Sequence, residues 1–345
     1  MSQMSRIVLA SRPDGAPTLE NFRLETADIP VPGKGEMLLR TIWMSLDPYM
    51  RGRMDDAKSY ADPVPVGGTM GGGCVAEVME SNHDQFAPGD IVMGPVGWAS
   101  HGITDGVGYR KIDPSIAPIS TALGVLGMPG MTAWVGLNDI GQAKSGETIV
   151  VSAATGAVGS LVGQLAKLKG MRVIGVAGGA DKCAYAVKEL GYDICLDHRA
   201  AADAKALGAQ IREAAPNGVD VYYENVGGKT LEAVLPNMNT FGRIPVCGMI
   251  AWYSGQGVAD AMRLPAAWRA ILTKRLRVQG FIIFDYNDRA GAVLTEVAPM
   301  VADGRISYRE TVAEGLENAP QAFLDLLKGG NFGKQLVRVG ADPTV

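Results

Sequence analysis

The sequence predicts an α/β protein in which a parallel sheet with helices on both faces is joined to a separate β-rich domain. After about residue 147, apolar runs of strand length alternate with segments of helical periodicity, which is the pattern of a parallel sheet wrapped by helices. Before about residue 120, short apolar runs are separated by Pro-Gly, Asp-Gly and Gly-Gly pairs, which is typical of a barrel or a sandwich. The 345 residues are sufficient for two such domains.

The β-rich domain takes its strands from these short apolar runs. They are expected at residues 6–10, 22–27, 37–46, 73–79, 90–96 and 108–112. Pro48 ends the third strand, because a proline biases the preceding Asp47 away from helix. The glycine-rich segment 64–73 is expected to be a loop. From about residue 120 the pattern becomes helical, and the domain boundary is expected there.

The second domain alternates strictly between the two element types. Strands are expected at 147–152, 172–177, 193–196, 219–224 and 241–247, and helices at 156–169, 181–190, 201–215 and 228–238. The apolar run 280–284 predicts a further strand, followed by a helix near 288–302. The last segments, at 308–312, 316–327 and 334–339, return to strand, helix and strand.

A glycine turn joins the first strand and the first helix of this series. It reads Ala154-Thr155-Gly156-Ala157-Val158-Gly159, which follows the dinucleotide-binding pattern Gly-x-Gly-x-x-Gly with alanine in the first position. Gly156 lets the backbone approach a pyrophosphate, Gly159 lets helix and strand pack closely, and amides at the helix start hold the anion. Because a strand precedes the turn and a helix and a second strand follow it, the pattern predicts a dinucleotide site.

The end of the second strand distinguishes the two nicotinamide cofactors. NAD-binding folds place a carboxylate there for the ribose hydroxyls, whereas NADP-binding folds place cations nearby. The strand ends at Ala177 without a carboxylate, and Asp181 comes later, in the first turn of the next helix. Lys182 could reach a 2′-phosphate, or it could be a solvated helix lysine, and both interpretations remain open at this point.

Composition excludes several functions. With a net charge of -4 and 20% charged residues, neither nucleic acid nor a membrane surface is an expected partner. No long apolar run and no signal peptide is present, so we expect a soluble, cytoplasmic protein. The three histidines and four cysteines give no pair at metal-ligand spacing, and no nucleophile elbow occurs. We therefore expect no metal and no covalent nucleophile, so that the cofactor carries the chemistry by hydride transfer.

Tyrosines are the remaining candidates for catalysis, because a phenol can stabilise enolate charge on a carbonyl oxygen. Tyr49, Tyr60 and Tyr253 lie in turn-like segments flanked by glycine or proline, where functional residues concentrate. Tyr222 and Tyr223 are expected in the sheet core instead. On the sequence alone, a structural role is the commoner one for any single tyrosine.

Five segments together resemble the medium-chain dehydrogenase/reductase superfamily. They are Met44-Ser45-Leu46-Asp47-Pro48-Tyr49-Met50-Arg51, Leu126-Gly127-Met128-Pro129-Gly130-Met131-Thr132-Ala133, Ala153-Ala154-Thr155-Gly156-Ala157-Val158-Gly159, Glu224-Asn225-Val226-Gly227-Gly228 and Asn331-Phe332-Gly333-Lys334. The chain is similar to the zinc-independent prostaglandin reductase and alkenal reductase branch, and within it to NADPH-dependent curcumin reductases. The resemblance implies a GroES-like barrel catalytic domain, residues 1–121 and 306–345, around an inserted Rossmann domain that binds NADPH, residues 122–305. It also implies a homodimer.

The resemblance assigns roles to individual residues. Metal-containing relatives carry a cysteine where this chain has Ser45-Leu46-Asp47-Pro48, and a Gly-His-Glu where it has Gly67-Gly68-Thr69-Met70, so the resemblance implies no metal. It places the pyrophosphate on Gly156, Ala157, Val158 and Gly159, and the 2′-phosphate on Lys182. His198 stands where prostaglandin reductases carry a tyrosine, and an imidazole can still donate to a phosphate. The rest of the cofactor site would be lined by Asn225, Cys247, Gly248, Met249, Ile250, Ala251, Trp252, Tyr253, Phe281, Ile282, Ile283 and Asn331.

The implied reaction is reduction of a carbon–carbon double bond conjugated to a ketone or an aldehyde. Hydride from NADPH adds to the β-carbon, while Tyr253, the nicotinamide ribose hydroxyl, or both polarise the carbonyl. Tyr49 and Tyr60 would shape the substrate side, and the substrate is a small conjugated carbonyl compound. Two alternatives remain open: an NADPH-dependent quinone reductase, and a non-catalytic NADPH-binding protein.

Overall fold

A computed structural model describes residues 3–259 and 261–345, which form two compact units. One unit contains the residues up to Gly124 together with Glu310–Val345, and the other is Val125–Arg309. The second unit is therefore inserted into the first along the chain.

The N-terminal part of the first unit is built from short strands. They are β1 Gln3–Leu9, β2 Phe22–Asp28, β3 Met37–Ser45, β4 Cys74–Ser81, β5 Ile91–Gly94, β6 His101–Thr104 and β7 Arg110–Lys111. Every strand expected from the sequence in this region is present, with ends that differ by a few residues. β6 was not predicted, because its sequence contains a single large aliphatic side chain, Ile103, and all four of its residues are only half-buried.

The inserted unit alternates strand and helix as expected. Its elements are α1 Met128–Val135, β8 Thr148–Ser152, α2 Gly159–Leu168, β9 Arg172–Ala177, α3 Ala180–Lys188, β10 Ile194–Asp197, α4 Ala204–Ala214, β11 Val219–Tyr223, α5 Gly228–Val234, β12 Met238–Val246, α6 Leu264–Lys274, β13 Arg277–Gly280 and α7 Ala290–Ala302. The strands form one parallel six-stranded sheet in the order β10-β9-β8-β11-β12-β13. Tyr222 and Tyr223 are fully buried in it, which confirms their expected core position.

The expected strand at 280–284 is wrong. β13 ends at Gly280, and Ile283–Arg289 forms a 3₁₀ helix. The reason is the length of the neighbouring strand, because the last residue of β12, Val246, pairs with Gly280 and leaves no ladder partner beyond it. Phe281 and Ile283 are nevertheless buried. The apolar run therefore predicts burial correctly, but it does not predict the secondary structure.

The last residues of the chain complete the first unit. β14 Glu310–Glu314 and β15 Lys334–Arg338 flank α8 Ala319–Leu327. β15 pairs with β14 in parallel and with β3 antiparallel, giving a seven-stranded sheet in which β14-β15-β3-β4-β5-β7 run side by side and β6 also pairs with β3. Phe22 stacks on Trp98, whose ring lies 5.6 Å from that of Phe323, so α8 packs into the same core.

Candidate functional site

The glycine turn between β8 and α2 is closely packed at its two glycines. A Cβ atom on Gly159 would lie 2.3 Å from the Ala153 carbonyl oxygen, and one on Gly156 would lie 3.2 Å from the same atom. Ala153 itself has a φ of 50°, a conformation rare for a residue other than glycine. The amides of Ala157, Val158 and Gly159 donate to no backbone carbonyl in the described part of the chain. The turn therefore offers a group of amides at a helix start, which is the usual cradle for a pyrophosphate.

Basic side chains collect beyond the end of β9. A Cβ atom on Gly178 would lie 2.9 Å from Nε of Arg199 and 3.0 Å from Nε2 of His198, so a larger residue there would clash with both. Burial, followed by the nearby charges of Lys229 and Arg199, holds the pKa of His198 below its ordinary value. Burial and the charge of Arg199 likewise lower the pKa of Lys182. We call Lys182, His198, Arg199 and Lys229 the cation cluster.

A carboxylate beside this cluster accepts hydrogen bonds from the backbone. Oδ1 of Asp197, the last residue of β10, accepts hydrogen bonds from the amides of Gly179 at 2.8 Å and Arg199 at 2.9 Å. Asp181 lies in the first turn of α3, as expected. A group of basic side chains at a strand end suits a phosphate better than a pair of ribose hydroxyls. The residues present thus fit the 2′-phosphate of NADPH.

Arg199 and Lys229 were missed by the sequence analysis. Arg199 follows β10 by two residues. Lys229 is the second residue of α5, directly after Gly227-Gly228, and its Nζ donates to the Ala201 carbonyl at 2.9 Å. Both positions follow the carboxyl ends of parallel strands, where ligands bind in doubly wound sheets. That rule could have identified them, had the order of the strands been known.

A buried carboxylate shapes the turn after β11. Glu224 is 3% exposed, and its Oε1 accepts from the amides of Val226 and Gly227 at 2.7 and 2.9 Å, while burial raises its pKa. Asn225 donates from its side-chain amide to the Ser152 carbonyl at 2.7 Å. The Asn225 side chain is therefore hydrogen-bonded to the last residue of β8. A contact between Asn225 and a cofactor stays a prediction.

The segment after β12 contains the predicted Tyr253. The amides of Cys247 and Gly248 donate to the Glu224 carbonyl, and Ile250–Trp252 forms a 3₁₀ turn that includes Ala251. Oη of Tyr253 accepts a hydrogen bond from the Met249 amide at 3.3 Å. Because that contact uses an acceptor lone pair, the phenolic proton is not consumed by it.

Other predicted cofactor residues near this segment are placed by packing. The Trp252 ring covers Gly227, where a Cβ atom would lie 2.7 Å from the ring. Burial raises the pKa of the Cys247 thiol to about 12, as expected of a structural cysteine. Phe281, Ile282 and Ile283 follow β13, and Phe281 packs edge-on against Tyr286. Asn331 belongs to the other unit, where its side-chain amide donates to the Gly333 carbonyl at 2.7 Å.

The structure brings two of the predicted tyrosines together in the first unit. The Arg53 guanidinium carbon lies 5.7 Å from the centre of the Tyr49 ring and 4.9 Å from that of Tyr60. Tyr49 and Arg53 lie on the 3₁₀ segment Pro48–Met54, and Tyr60 is 51% exposed. Burial raises the pKa of both phenols, so both stay protonated. Sequence reasoning missed Arg53, which joins the two rings.

A buried ion pair anchors this segment from behind. Nζ of Lys334, on β15, donates to the Leu46 carbonyl at 2.7 Å, to Oδ1 of Asp47 at 3.0 Å and to the Gln335 carbonyl at 3.1 Å. Lys334 and Asp47 are 4% and 6% exposed, and the Ser45 hydroxyl donates to the other carboxylate oxygen of Asp47. The ion pair therefore fixes the start of the tyrosine-bearing turn against the central sheet.

The described residues contain neither a group of metal-ligand side chains nor a membrane-spanning helix. No group of three or more His, Cys, Asp or Glu side chains among residues 3–259 and 261–345 is arranged to hold a metal ion. None of the helices in the described part of the chain has both the length and the apolar composition needed to cross a membrane.

Comparison with known proteins gives whole-chain matches. Residues 5–112 match the family described as the N-terminal domain of oxidoreductase, and residues 157–298 match the family described as zinc-binding dehydrogenase. The NADPH-dependent curcumin reductase of Escherichia coli K12 is 53% identical over 98% of this chain and 97% of its own. Prostaglandin reductase 1 of Rattus norvegicus is 42% identical over 98% of this chain and 100% of its own. The crystal structure of CurA from Vibrio vulnificus in complex with NADPH superimposes with a TM-score of 0.93 at 51% identity, covering 98% of this chain and 100% of that one.

Proposed function

This chain belongs to the curcumin reductase and prostaglandin reductase branch of the medium-chain dehydrogenase/reductase superfamily, and from that premise we propose that it reduces conjugated carbon–carbon double bonds with NADPH. It is an oxidoreductase whose substrates are α,β-unsaturated ketones and aldehydes, of the curcumin or 15-oxoprostaglandin kind. The observation that carries the cofactor assignment is the cation cluster beside the glycine turn, since together they match the phosphates of NADPH.

When bound, NADPH supplies the hydride. The chain's own contribution on that side is electrostatic and positional, because Gly156 to Gly159 hold the pyrophosphate and Lys182, with its cationic neighbours, holds the 2′-phosphate. Orientation of this kind can account for a large part of a rate enhancement, since it replaces a bimolecular encounter by a fixed geometry.

Tyr253 polarises the substrate carbonyl in this proposal. The Met249 amide donates to its oxygen, and a phenol can donate its own proton to a carbonyl oxygen as negative charge develops there. We expect Tyr253→Phe to lower kcat/KM for a simple enone by about a hundredfold with little change in the KM for NADPH. Tyr185→Phe, which alters another phenol of the same unit, is the control. A Tyr253→Phe enzyme with full kcat/KM would remove this role.

Tyr49, Arg53 and Tyr60 form the substrate side in this proposal. Two aromatic rings that contact one guanidinium put aromatic surface and positive charge together, which suits an aromatic or extended conjugated carbonyl compound. The outcome expected on this basis is a higher kcat/KM for aryl enones than for short alkyl ones.

A substrate panel tests the function as a whole. Purified protein is incubated with NADPH and a series of enones, enals and quinones, and NADPH oxidation is followed by absorbance while the products are identified by mass spectrometry. We expect saturated ketones and aldehydes from the enones and enals. Turnover of quinones alone would indicate the quinone reductase, and tight NADPH binding without any turnover would indicate a non-catalytic binding protein.

We also propose finer properties of the enzyme. All four residues of β13, at the edge of the six-stranded sheet, are exposed, and Val278 is 44% exposed, so an edge-to-edge homodimer is proposed. Light scattering of the wild type and of Val278→Lys tests it, and a wild type that is monomeric at micromolar concentration removes it. Independence from zinc is tested by retention of activity after chelation, and a cytoplasmic location stays a prediction.

A further inference from the structure

A buried tyrosine is hydrogen-bonded to both ends of the glycine turn. Tyr192 follows Gly191, between α3 and β10, and is 2% exposed. Its hydroxyl donates to the Gly159 carbonyl at 2.7 Å and makes a second, longer contact of 3.3 Å with the Ala154 carbonyl. These carbonyls belong to the first and the last residue of the turn 154–159. One phenol therefore links the end of β8 to the start of α2.

The fold provides a slot for this aromatic ring. A Cβ atom on Gly163, in α2, would lie 2.2 Å from the Tyr192 ring, and one on Gly175, in β9, would lie 3.0 Å from it. Because both positions are glycine, the ring can pack against the helix and the strand at once. Burial raises the pKa of Tyr192 well above its ordinary value, so the phenol keeps its proton and stays a hydrogen-bond donor.

The two ends of the turn are held in different ways. At its start, the Ala154 amide donates to the Val176 carbonyl of β9 at 3.1 Å, which is a backbone contact. At its end, the Gly159 carbonyl accepts from the side chain of Tyr192. Peptide planes are rigid, and those of a helix are aligned along its axis, so a fixed Gly159 carbonyl also fixes the direction of the amides at the start of α2. Those amides form the anion cradle.

We propose that the Tyr192 hydroxyl is a positioning group for the pyrophosphate of NADPH, because it holds the two ends of the glycine turn at the spacing at which the amides of residues 157–159 bind an anion. Since Tyr192 is buried, it acts through the backbone and not by contact with the cofactor. The inference rests on the proposed function, because it assumes that the turn binds the pyrophosphate. The 2′-phosphate is held by the cation cluster, on which the phenol has no direct effect.

Two fragments of the cofactor separate these sites in a calorimetric titration. ADP-ribose carries the pyrophosphate without the 2′-phosphate, and 2′-AMP carries the 2′-phosphate without the pyrophosphate. Tyr192→Phe removes the hydroxyl and leaves the ring in its slot, so it should raise the Kd for ADP-ribose by about threefold to tenfold, the value of one hydrogen bond. The Kd for 2′-AMP should hardly change. Lys182→Ala should give the reverse pattern.

The whole cofactors provide a second measurement on the same variant. NADPH and NADH share the pyrophosphate, so Tyr192→Phe should raise the Kd of both by the same factor in a fluorescence titration. Hydrogen exchange of the ligand-free protein, followed by mass spectrometry, should be faster in the peptide that contains residues 154–162, because the turn has lost one of its links.

Tyr223 is the matched control. It is fully buried in the same unit, and its hydroxyl donates to the Thr132 carbonyl at 2.6 Å. Tyr223→Phe should lower the melting temperature about as much as Tyr192→Phe and leave the Kd for ADP-ribose unchanged. A general loosening of the unit would instead raise that Kd in both variants.

Three outcomes would contradict the inference. An unchanged Kd for ADP-ribose in Tyr192→Phe, or an equal rise for ADP-ribose and 2′-AMP, would show that the hydroxyl does not position the turn and would leave the proposed function intact. A wild-type protein that binds neither ADP-ribose nor NADPH would overturn the proposed function together with this role.

Discussion

The cation cluster of the inserted unit and the buried ion pair of the first unit handle charge in opposite ways. In the cluster, burial and the charge of Arg199 lower the pKa values of both Lys182 and His198, and the adjacent carboxylate of Asp197 accepts hydrogen bonds from backbone amides. In the ion pair, Lys334 donates hydrogen bonds to the Asp47 carboxylate and to two backbone carbonyls, and Asp47 accepts from Lys334 and from a hydroxyl. A bound anion would stabilise the cation cluster, whereas the charges of the ion pair already compensate each other. We therefore expect repulsive charge at a strand end to mark a ligand site, and compensated buried charge to stabilise the fold.

The largest effect is expected when one charge of the Lys334–Asp47 ion pair is removed. Lys334→Met leaves the Asp47 carboxylate 6% exposed and without its cation, so we expect the free energy of unfolding to fall by about 3–5 kcal/mol. Urea denaturation followed by tryptophan fluorescence measures it.

The matched control for that change is Asp47→Asn combined with Lys334→Met. Because the double variant leaves no buried charge unpaired, it should be more stable than Lys334→Met alone. Equal stabilities for the two variants would mean that the ion pair is not what holds the turn.

The second largest effect is expected at the glycine turn, because its packing requires that Gly159 has no Cβ atom. Gly159→Ala places a Cβ atom 2.3 Å from a backbone oxygen that cannot move aside, and we expect a loss of about 2–3 kcal/mol in unfolding free energy together with lost NADPH binding. Gly291→Ala in α7 is the control, because no atom lies within 4 Å of the added Cβ. Thermal denaturation with and without NADPH compares the two, and a stable, NADPH-binding Gly159→Ala would refute the close approach.

The same comparison explains which features the sequence could predict. The crowding at Gly159 is local, since turn and carbonyl lie within a few residues, and a pattern in the sequence reveals it. The cation cluster draws on the ends of separate strands, so Lys182 could be identified from its distance to the turn but Arg199 and Lys229 could not. Lys334 meets Asp47 only because β15 pairs with β3 across most of the chain length. The error at 280–284 also comes from contacts between distant segments, because the end of β13 is set by the length of β12.

The third effect distinguishes the cluster from an ordinary helix surface. Lys182→Ala should raise the KM for NADPH by about tenfold to a hundredfold, the value of a hydrogen bond between charged groups, and leave the KM for NADH almost unchanged. Lys188→Ala, an exposed lysine at the end of the same helix, is the control and should change neither. An equal rise for both cofactors would show that Lys182 does not meet the 2′-phosphate.

The smallest effect is a dependence of the NADP+ affinity on pH, which we expect from His198 in the cation cluster. Burial and the charges of Lys229 and Arg199 hold the pKa of His198 below its ordinary value, so in the free protein the imidazole is neutral near pH 7. A bound phosphate raises that pKa, and binding then takes up a proton, so affinity should rise as pH falls through the pKa of the complex. Calorimetric titration with NADP+ from about pH 8 to about pH 6 should give a rise of a few fold in the wild type. His198→Gln should lose this component and retain only the opposing titration of the phosphate itself, and identical slopes would show that the imidazole faces no phosphate.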